Sequence, residues 1–154
     1  MKSKIFDYYI FIDYSLDLIG YVIISKSNVY DCLLKTSKLK HYKNLKYKRA
    51  YLRSMKKLFE KNEILRSVDK YRVTELRYNI EICSEVFDFC KKHPDSKIFI
   101  SIDDRQYKGF MKILRSIDGK RFTILKEGKL VKNSREYKLS LIIDTLLNLK
   151  RSKN

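Results

Sequence analysis

The sequence predicts an α/β domain in which helices flank a mixed five-stranded sheet, and two observations lead to this prediction. Short apolar runs rich in aromatic and β-branched residues, Tyr8–Asp13 and Lys97–Asp103, are typical of strands buried on both faces. Elsewhere, apolar residues recur at the three- and four-residue spacing of helices that cover a sheet. The 154 residues contain no Pro/Gly-rich linker, so one domain is expected over 1–149, followed by a disordered basic tail at 150–154.

The first part of the chain predicts three strands. The first covers residues 5–13 and is followed by a turn that Asp17 and Gly20 bracket. The second strand is predicted at 21–24 and the third at 29–34. Because the links between them are short, the three strands are expected to form an antiparallel meander.

The rest of the chain predicts helices that alternate with two more strands. Apolar residues at helical spacing begin near Asn44, and the pattern is interrupted once, at residues 67–69. Pro94 ends the second helical segment, because the residue before a proline disfavours the α region, and Ser134 is placed to cap the last helix. The predicted helices cover about residues 44–66, 72–93, 106–116 and 136–150. The fourth and fifth strands are predicted at residues 97–103 and 121–125.

The composition of the chain bounds its partners and its location. Its 35 lysines and arginines against 18 aspartates and glutamates give a formal net charge of +17. This charge predicts a polyanionic partner, nucleic acid before a membrane surface, because each phosphate contact releases counterions; the alternative is a protein that is merely soluble and basic. The absence of a spanning segment, of a signal peptide and of a CxxC motif predicts a cytoplasmic protein.

The positive charge is concentrated in one segment. From Cys32 through Phe59 the chain contains no acidic residue, and tyrosines are interleaved among its cations. Lysines and arginines suit phosphates, and tyrosines can stack on unpaired bases. The alternative is a solvated helix face, although such a face normally carries acids that pair with its cations. The predicted nucleic-acid-binding residues are Lys43, Lys46, Tyr47, Lys48, Arg49, Arg53, Lys56 and Lys57.

Three acids stand where chemistry can occur. Asp13 ends the first strand, Asp103 or Asp104 ends the fourth, and Asp144 lies in an apolar stretch of the last helix. If the two strands are parallel neighbours, their terminal carboxylates lie close together, since adjacent strands are about 4.8 Å apart. Clustered carboxylates repel one another unless a cation lies among them, and oxygen ligands favour Mg²⁺ or Mn²⁺. Taken singly, each acid has a structural alternative as a turn or helix cap, or as the partner of a lysine. Glu75, before a helical run, is a fourth candidate.

The order of elements and the acids resemble the ribonuclease H-like (retroviral integrase) superfamily, with its acids on strand one, at the end of strand four and in the last helix. More narrowly, the segment Asp13 to Asp17 is similar to the Asp-Glu-Ser-Gly-Asp opening of a prokaryotic uncharacterised family, with Tyr14 and Leu16 replacing its acid and glycine. Glu75-Leu76-Arg77 is similar to that family's Glu-Leu-Lys, and Leu141 to Asp144 to its Gln-Leu-Ala-Asp, without the glutamine.

The resemblance implies a ribonuclease H-like fold and a metal-dependent nuclease or related phosphodiester-processing enzyme. Asp13, Asp103 and Asp144 would hold Mg²⁺ or Mn²⁺, and Glu75 would join them as a catalytic residue. The partner would be DNA or RNA, with no membrane involved, and a homodimer is left open. The alternatives are a non-catalytic nucleic-acid-binding protein on the same fold, which uses the basic segment alone, and a module that binds an acidic protein.

Overall fold

The computed structural model describes residues 5–40, 42, 45–62, 64–101, 108–109, 111–112, 123–126, 130 and 134–152. The chain forms β1 (Tyr8–Ser15), β2 (Leu18–Ser25), α1 (Lys26–Lys35), α2 (Lys48–Asn62), β3 (Lys70–Glu75), α3 (Asn79–Lys92), β4 (Ser96–Ser101), β5 (Thr123–Lys126) and α4 (Arg135–Ser152). Two short 3₁₀ turns, Ile64–Ser67 and Leu76–Tyr78, lead into and out of β3. No helix in these ranges has both the length and the apolar character needed to cross a membrane.

The architecture is α/β around a mixed, open sheet. Four strands in the order β3-β2-β1-β4 form its body, and the short β5 pairs with the outer edge of β4. β2 is antiparallel to both of its neighbours, β1 and β3, whereas β4 is parallel to β1 and to β5. The register aligns Asp13 of β1 with Ser101, the last residue of β4. The parallel pairing that the two apolar runs predict is therefore present.

Helices cover both faces of the sheet. Because successive strand residues face opposite sides, Tyr9 and Phe11 belong to a core shared with α4, α1 and α2, and Ile10 and Ile12 belong to a core shared with α3. On the first face the rings of Phe11 and Phe99 stack with centroids 4.9 Å apart. Almost every turn of α4 is buried, since the sheet lies on one side of it and α1 and α2 lie on the other.

On the second face, a polar network ties α3 to the sheet. Tyr21 of β2 is fully buried, and its hydroxyl donates to Glu85 Oε1 over 2.9 Å. Arg72 of β3 reaches both Glu85 and Glu81, with its Nη1 atom 2.9 Å from Glu81 Oε1. Burial, followed by the hydrogen bond to Glu85, raises the pKa of Tyr21 above its ordinary value.

The prediction of a third strand at residues 29–34 is wrong. These residues lie in α1, where Val29 and Cys32 are buried at helical spacing, whereas Tyr30 and Leu34 are exposed. The third strand is instead Lys70–Glu75, although the sequence predicts a helix from residue 72. Its hydrogen bonds to β2 outweigh the local helical pattern, because an unpaired edge of β2 would leave backbone groups unsatisfied. The antiparallel trio therefore consists of β1 and β2, which a short turn joins, and of β3, which follows only after α1 and α2.

The last helix is predicted correctly, but the disordered tail is not. Ser134 Oγ accepts the Tyr137 N–H over 3.2 Å, as expected of a cap. The helix continues to Ser152, past the predicted start of the tail at Lys150, because Arg151 is anchored by a 2.8 Å hydrogen bond to Ser15 Oγ. Most of the predicted helix at 106–116, the first part of the predicted strand at 121–125, and residues 153–154 lie outside the described residues.

At Gly20, α4 packs directly against the sheet. A Cβ atom at this position would lie 2.9 Å from Ile143 Cδ1, Val73 Cγ2 and the carbonyl oxygen of Arg72. We therefore expect Gly20→Ala to push α4 away and to lower the free energy of unfolding by about 1–3 kcal/mol, the usual range for overpacking. Urea denaturation followed by circular dichroism measures the change. Gly109→Ala is the control, since a Cβ there meets nothing within 4 Å; equal effects of the two substitutions would refute the packing argument.

Leu16, in the turn between β1 and β2, is strained. Its φ of 51° lies in the left-handed region, and it is the one non-glycine residue among those described with a positive φ. Its side chain is 79% exposed, so it contributes little burial.

Because the left-handed conformation costs a residue with a Cβ about 1–2 kcal/mol, Leu16→Gly is expected to raise the free energy of unfolding by up to about 1 kcal/mol after the added chain entropy is subtracted. Leu34→Gly, at an exposed position within α1, should instead destabilise by about 1 kcal/mol. Chemical denaturation measures both changes, and the absence of stabilisation in Leu16→Gly would contradict the assignment of strain.

Candidate functional site

Asp13 lies near the end of β1, on the face covered by α4. Its side chain is 6% exposed, and its Oδ1 atom accepts the backbone N–H of Tyr14 over 2.8 Å. It follows Tyr9 and Phe11 on the same face of the strand, which places a carboxylate at the end of an otherwise apolar row. A buried carboxylate needs a compensating partner, because transfer from water into the interior penalises its charge.

Asp144 lies in the middle of α4. Its side chain is 8% exposed, and its neighbours Ile143 and Thr145 are each 1% exposed. Its Oδ2 atom accepts the backbone N–H of Tyr42 over 3.1 Å, which ties the segment between α1 and α2 to the final helix. The apolar surroundings that the sequence indicated for this acid are therefore present.

The fold brings Asp13 and Asp144 to the same face of the sheet. Ile143, which precedes Asp144, reaches the position of Gly20, and Gly20 is the register partner of Asp13. Further along α4, Arg151 donates to Ser15, two residues after Asp13 on the same face of β1. The helix therefore follows β1 towards its carboxyl end, and Asp144 lies within a turn of the level of Asp13.

Tyr42 connects Asp144 with cations. Its ring lies 5.1 Å from Lys48 Nζ and 5.2 Å from Arg151 Cζ, within the range of cation–π attraction. Asn148 supports the arrangement: its Oδ1 atom accepts from Arg151 over 2.7 Å, and its Nδ2 atom donates to the carbonyl of Asp144 over 2.7 Å. The buried acid and the start of α2 are therefore parts of one local structure.

The predicted nucleic-acid-binding cations lie on and just before α2, an amphipathic helix. Met55 is buried and Phe59 packs against the same core, so the opposite side of the helix faces water. We call the exposed cations on α2 and just before it the basic surface: Lys46, Lys48, Arg49, Arg53, Lys56 and Lys57. Within the described part of the chain none of them forms an ion pair. Lys43 lies outside the described residues.

The remaining predicted acids are not joined to this pair in the described structure. Glu75 is exposed at the end of β3, where its Oε2 atom lies 3.0 Å from Arg77 Nε. Its register places it opposite Leu18 of β2, so it is two strands away from β1, roughly 10 Å across the sheet. Asp103 and Asp104 follow β4 but lie outside the described residues.

Position 14 does not belong to the face that carries Asp13. Tyr14 packs against the core shared with α3, on the other side of the sheet, and burial raises the pKa of its phenol. Because neighbouring strand residues point to opposite faces, an acid at this position would not have shared the face of Asp13. Tyr14 therefore removes no ligand from that face.

The donors in the described region suit a hard divalent ion in type but are incomplete in number. Asp13 and Asp144 offer the carboxylate oxygens that Mg²⁺ and Mn²⁺ prefer. Among the residues described, no three His, Cys, Asp or Glu side chains lie close enough together to hold a metal. Burial raises the pKa of Cys83 and of Cys90 to about 12, so these thiols are protonated at neutral pH. A further acid, such as Asp103, would be needed to complete the set.

Two residues of the site, Arg151 and Tyr42, are not among those that the sequence predicts. Arg151 falls in the predicted disordered tail, although it stands seven residues after Asp144 and therefore on the same side of a continuous helix. That spacing was the available signal. For Tyr42 there was none beyond its position in the acid-free segment, because its backbone contact with Asp144 crosses from one end of the chain to the other.

No known family matches the chain, and a search of curated proteins finds no match either. The function has to be inferred from the residues themselves: two buried acids on one face of the sheet, and an unpaired basic surface attached to one of them through Tyr42.

Proposed function

We propose that this protein is a metal-dependent nuclease or a related phosphodiester-processing enzyme that acts on DNA or RNA. The observation that carries the proposal is the contact through Tyr42, which joins the buried Asp144 to Lys48 and Arg151. A polyanion held on the basic surface would thereby lie close to the buried Asp144 carboxylate. Solubility alone would not require Asp144 to lie next to these cations.

The electrostatics support nucleic acid as the partner. The net charge is +17, and the six cations of the basic surface are exposed and unpaired within the described region. Cations that are already paired gain little from a phosphate, whereas unpaired ones displace the counterions of a nucleic acid. Lys35 is a contrasting case, since it pairs with Asp31 at 3.2 Å and donates to Ser67.

The ribonuclease H-like fold is part of the same proposal. Three antiparallel strands followed by parallel additions, an acid near the end of β1 and an acid in the final helix support it. The turn after β1 adds support, because Leu16 stands where the motif it resembles has glycine and adopts the left-handed conformation that glycine favours. The insertion of α1 and α2 between β2 and β3 is this chain's own feature.

In this proposal Asp13 and Asp144, completed by Asp103, would hold Mg²⁺ or Mn²⁺. When bound, such an ion would supply positive charge that stabilises the developing negative charge of a phosphodiester. The chain's own residues do the rest: the basic surface holds the phosphate backbone, and Arg151 and Asn148 fix the turn of α4 that carries Asp144. The exposed Glu75 stays an additional candidate. We place the protein in the cytoplasm, where its buried, unbridged cysteines remain reduced.

The first test is cleavage by variants of the acid on β1. Asp13→Asn should lower the rate of cleavage of labelled DNA or RNA by about 100-fold or more, since metal-assisted stabilisation is worth several kcal/mol. The amide oxygen of asparagine can still accept the Tyr14 N–H, so the fold should persist. The measurement is a gel assay with Mg²⁺, with Mn²⁺ and with EDTA, together with calorimetric titration of Mn²⁺.

The control for that test is Asp88→Asn, which makes the same chemical change at an exposed position of α3 on the other side of the sheet. It should cleave like the wild type. Unaltered cleavage by Asp13→Asn, or cleavage that persists in EDTA, would rule out the proposed metal site.

A second candidate function is non-catalytic nucleic-acid binding through the basic surface alone. The observation that favours it is the incomplete set of acids, since no three potential metal ligands converge in the described part of the chain. Under this alternative, binding is sensitive to salt but indifferent to divalent ions and to Asp13→Asn.

The basic surface is tested by its salt dependence. Arg49→Gln combined with Arg53→Gln should weaken binding and reduce the slope of log K against log salt by about 1.4–1.8, since each lost phosphate contact contributes roughly 0.7–0.9. Fluorescence anisotropy at several salt concentrations gives the slope. Lys91→Gln with Lys92→Gln removes the same charge from α3 and should change the slope much less. Equal effects of the two pairs would mean that net charge, and not this surface, attracts nucleic acid.

A further inference from the structure

A groove opens beside the basic surface, between the start of α2 and the segment that precedes it. It encloses about 420 Å³ and is lined by Lys40, Leu45, Lys46, Tyr47, Ala50, Tyr51 and Ser54. Its lining combines two aromatic rings with two lysines and contains no acid. Its volume lies in the range of sites that hold small organic groups, roughly 300–1,000 Å³.

One wall of the groove is fixed. The Tyr51 hydroxyl accepts the Lys40 N–H over 2.8 Å and donates to the Lys40 carbonyl over 3.0 Å, so that the segment before α2 is held against the helix. Burial raises the pKa of Tyr51, and the nearby Asp144 carboxylate acts in the same direction. The groove therefore borders the part of the molecule that contains Asp144.

The second aromatic residue of the groove is presented to solvent. Tyr47 is 72% exposed although it is a large ring, and Lys46 Nζ lies 5.7 Å from its centroid. Its backbone is held in place, because its carbonyl accepts the first hydrogen bond of α2 from the Tyr51 N–H over 3.1 Å. The Tyr47 ring therefore presents an aromatic face close to cations, and a ligand that binds to it does not have to order its backbone.

We propose that this groove takes an unpaired base of a single-stranded nucleic acid, which stacks on Tyr47 while Lys46 and Lys40 hold the phosphates on either side. The inference rests on the proposed function in one respect, namely that nucleic acid is the partner. A base within a duplex is already stacked between its neighbours and presents no free face to a tyrosine, whereas an unpaired base does. Charge complementarity identifies the occupant, since the groove and the basic surface beside it are cationic and carry no acid.

The preferred substrate is therefore a single strand, or a duplex with an unpaired segment. The strand that fills the groove leaves it alongside the basic surface and the Tyr42 contact to Asp144. Base stacking is tolerant of sequence, because every base has an aromatic face. Selectivity for unpaired over paired substrate follows from Tyr47, and attraction to both follows from the lysines and arginines.

The test is binding measured by fluorescence anisotropy in EDTA, with labelled oligothymidylate, oligouridylate and a DNA duplex of equal length. Tyr47→Ala should weaken binding to the single strands about tenfold, within the range measured for loss of one base stack, without a change in salt slope and without an effect on the duplex. Tyr47→Phe should bind like the wild type. Tyr30→Ala is the matched control, since Tyr30 of α1 is also 72% exposed but lies outside the groove. Circular dichroism verifies that each variant is folded.

The outcomes separate this inference from the proposed function. Equal wild-type affinity for single strand and duplex, or equal losses for Tyr47→Ala and Tyr30→Ala, would overturn the inference, and metal-dependent cleavage that needs Asp13 would stand. A selective loss in Tyr47→Ala would support the inference even if Asp13→Asn cleaved normally. Failure of every probe to bind would overturn both. A difference between oligothymidylate and oligouridylate would assign the strand as DNA or RNA.

Discussion

At Gly20 the final helix approaches the sheet so closely that there is no space for a side chain between them. This contact brings Ile143 down onto β2 and Asp144 to the level of Asp13, because Gly20 and Asp13 are register partners on adjacent strands. The hydrogen bond from Arg151 to Ser15 extends the same alignment by two further turns. The relative position of the two acids therefore depends on a glycine that has no chemistry of its own.

The charges of the molecule are sorted between its interior and its surface. Asp13 is buried beneath α4 and Asp144 is a buried residue of α4, whereas the cations of α2 remain in water without acidic partners in the described region. Tyr42 lies where the two meet, with its backbone on Asp144 and its ring between Lys48 and Arg151. Surface ion pairs would have been of little value for stability, so leaving the cations unpaired costs the fold little and keeps them available to an anion.

The strands buried on both faces and the final helix could be predicted from the sequence, because their apolar patterns are strong and local. The third strand could not be predicted, since Lys70–Glu75 is a half-exposed edge strand and is separated in sequence from its partner β2 by two helices. Residues 29–34 were misread because a short apolar stretch fits a strand and a helix face equally well. At the site, both acids could be predicted from their apolar surroundings. The contact of Tyr42 with Asp144 could not, because it depends on how a polar connecting segment folds back over α4.

The placement of α1 and α2 between β2 and β3 has a consequence for how the chain folds. The pairing of Leu18 with Glu75, and that of β1 with β4, each join residues far apart in sequence, so none of the sheet beyond the first hairpin forms from local contacts. Long loops must close before those pairings can form, and the entropy lost on loop closure slows folding. The β1–β2 hairpin is the one part of the sheet that can nucleate by itself, and its turn is the place where Leu16 is strained. Folding of this domain is therefore expected to be slower than that of a helical bundle, whose contacts are mostly local.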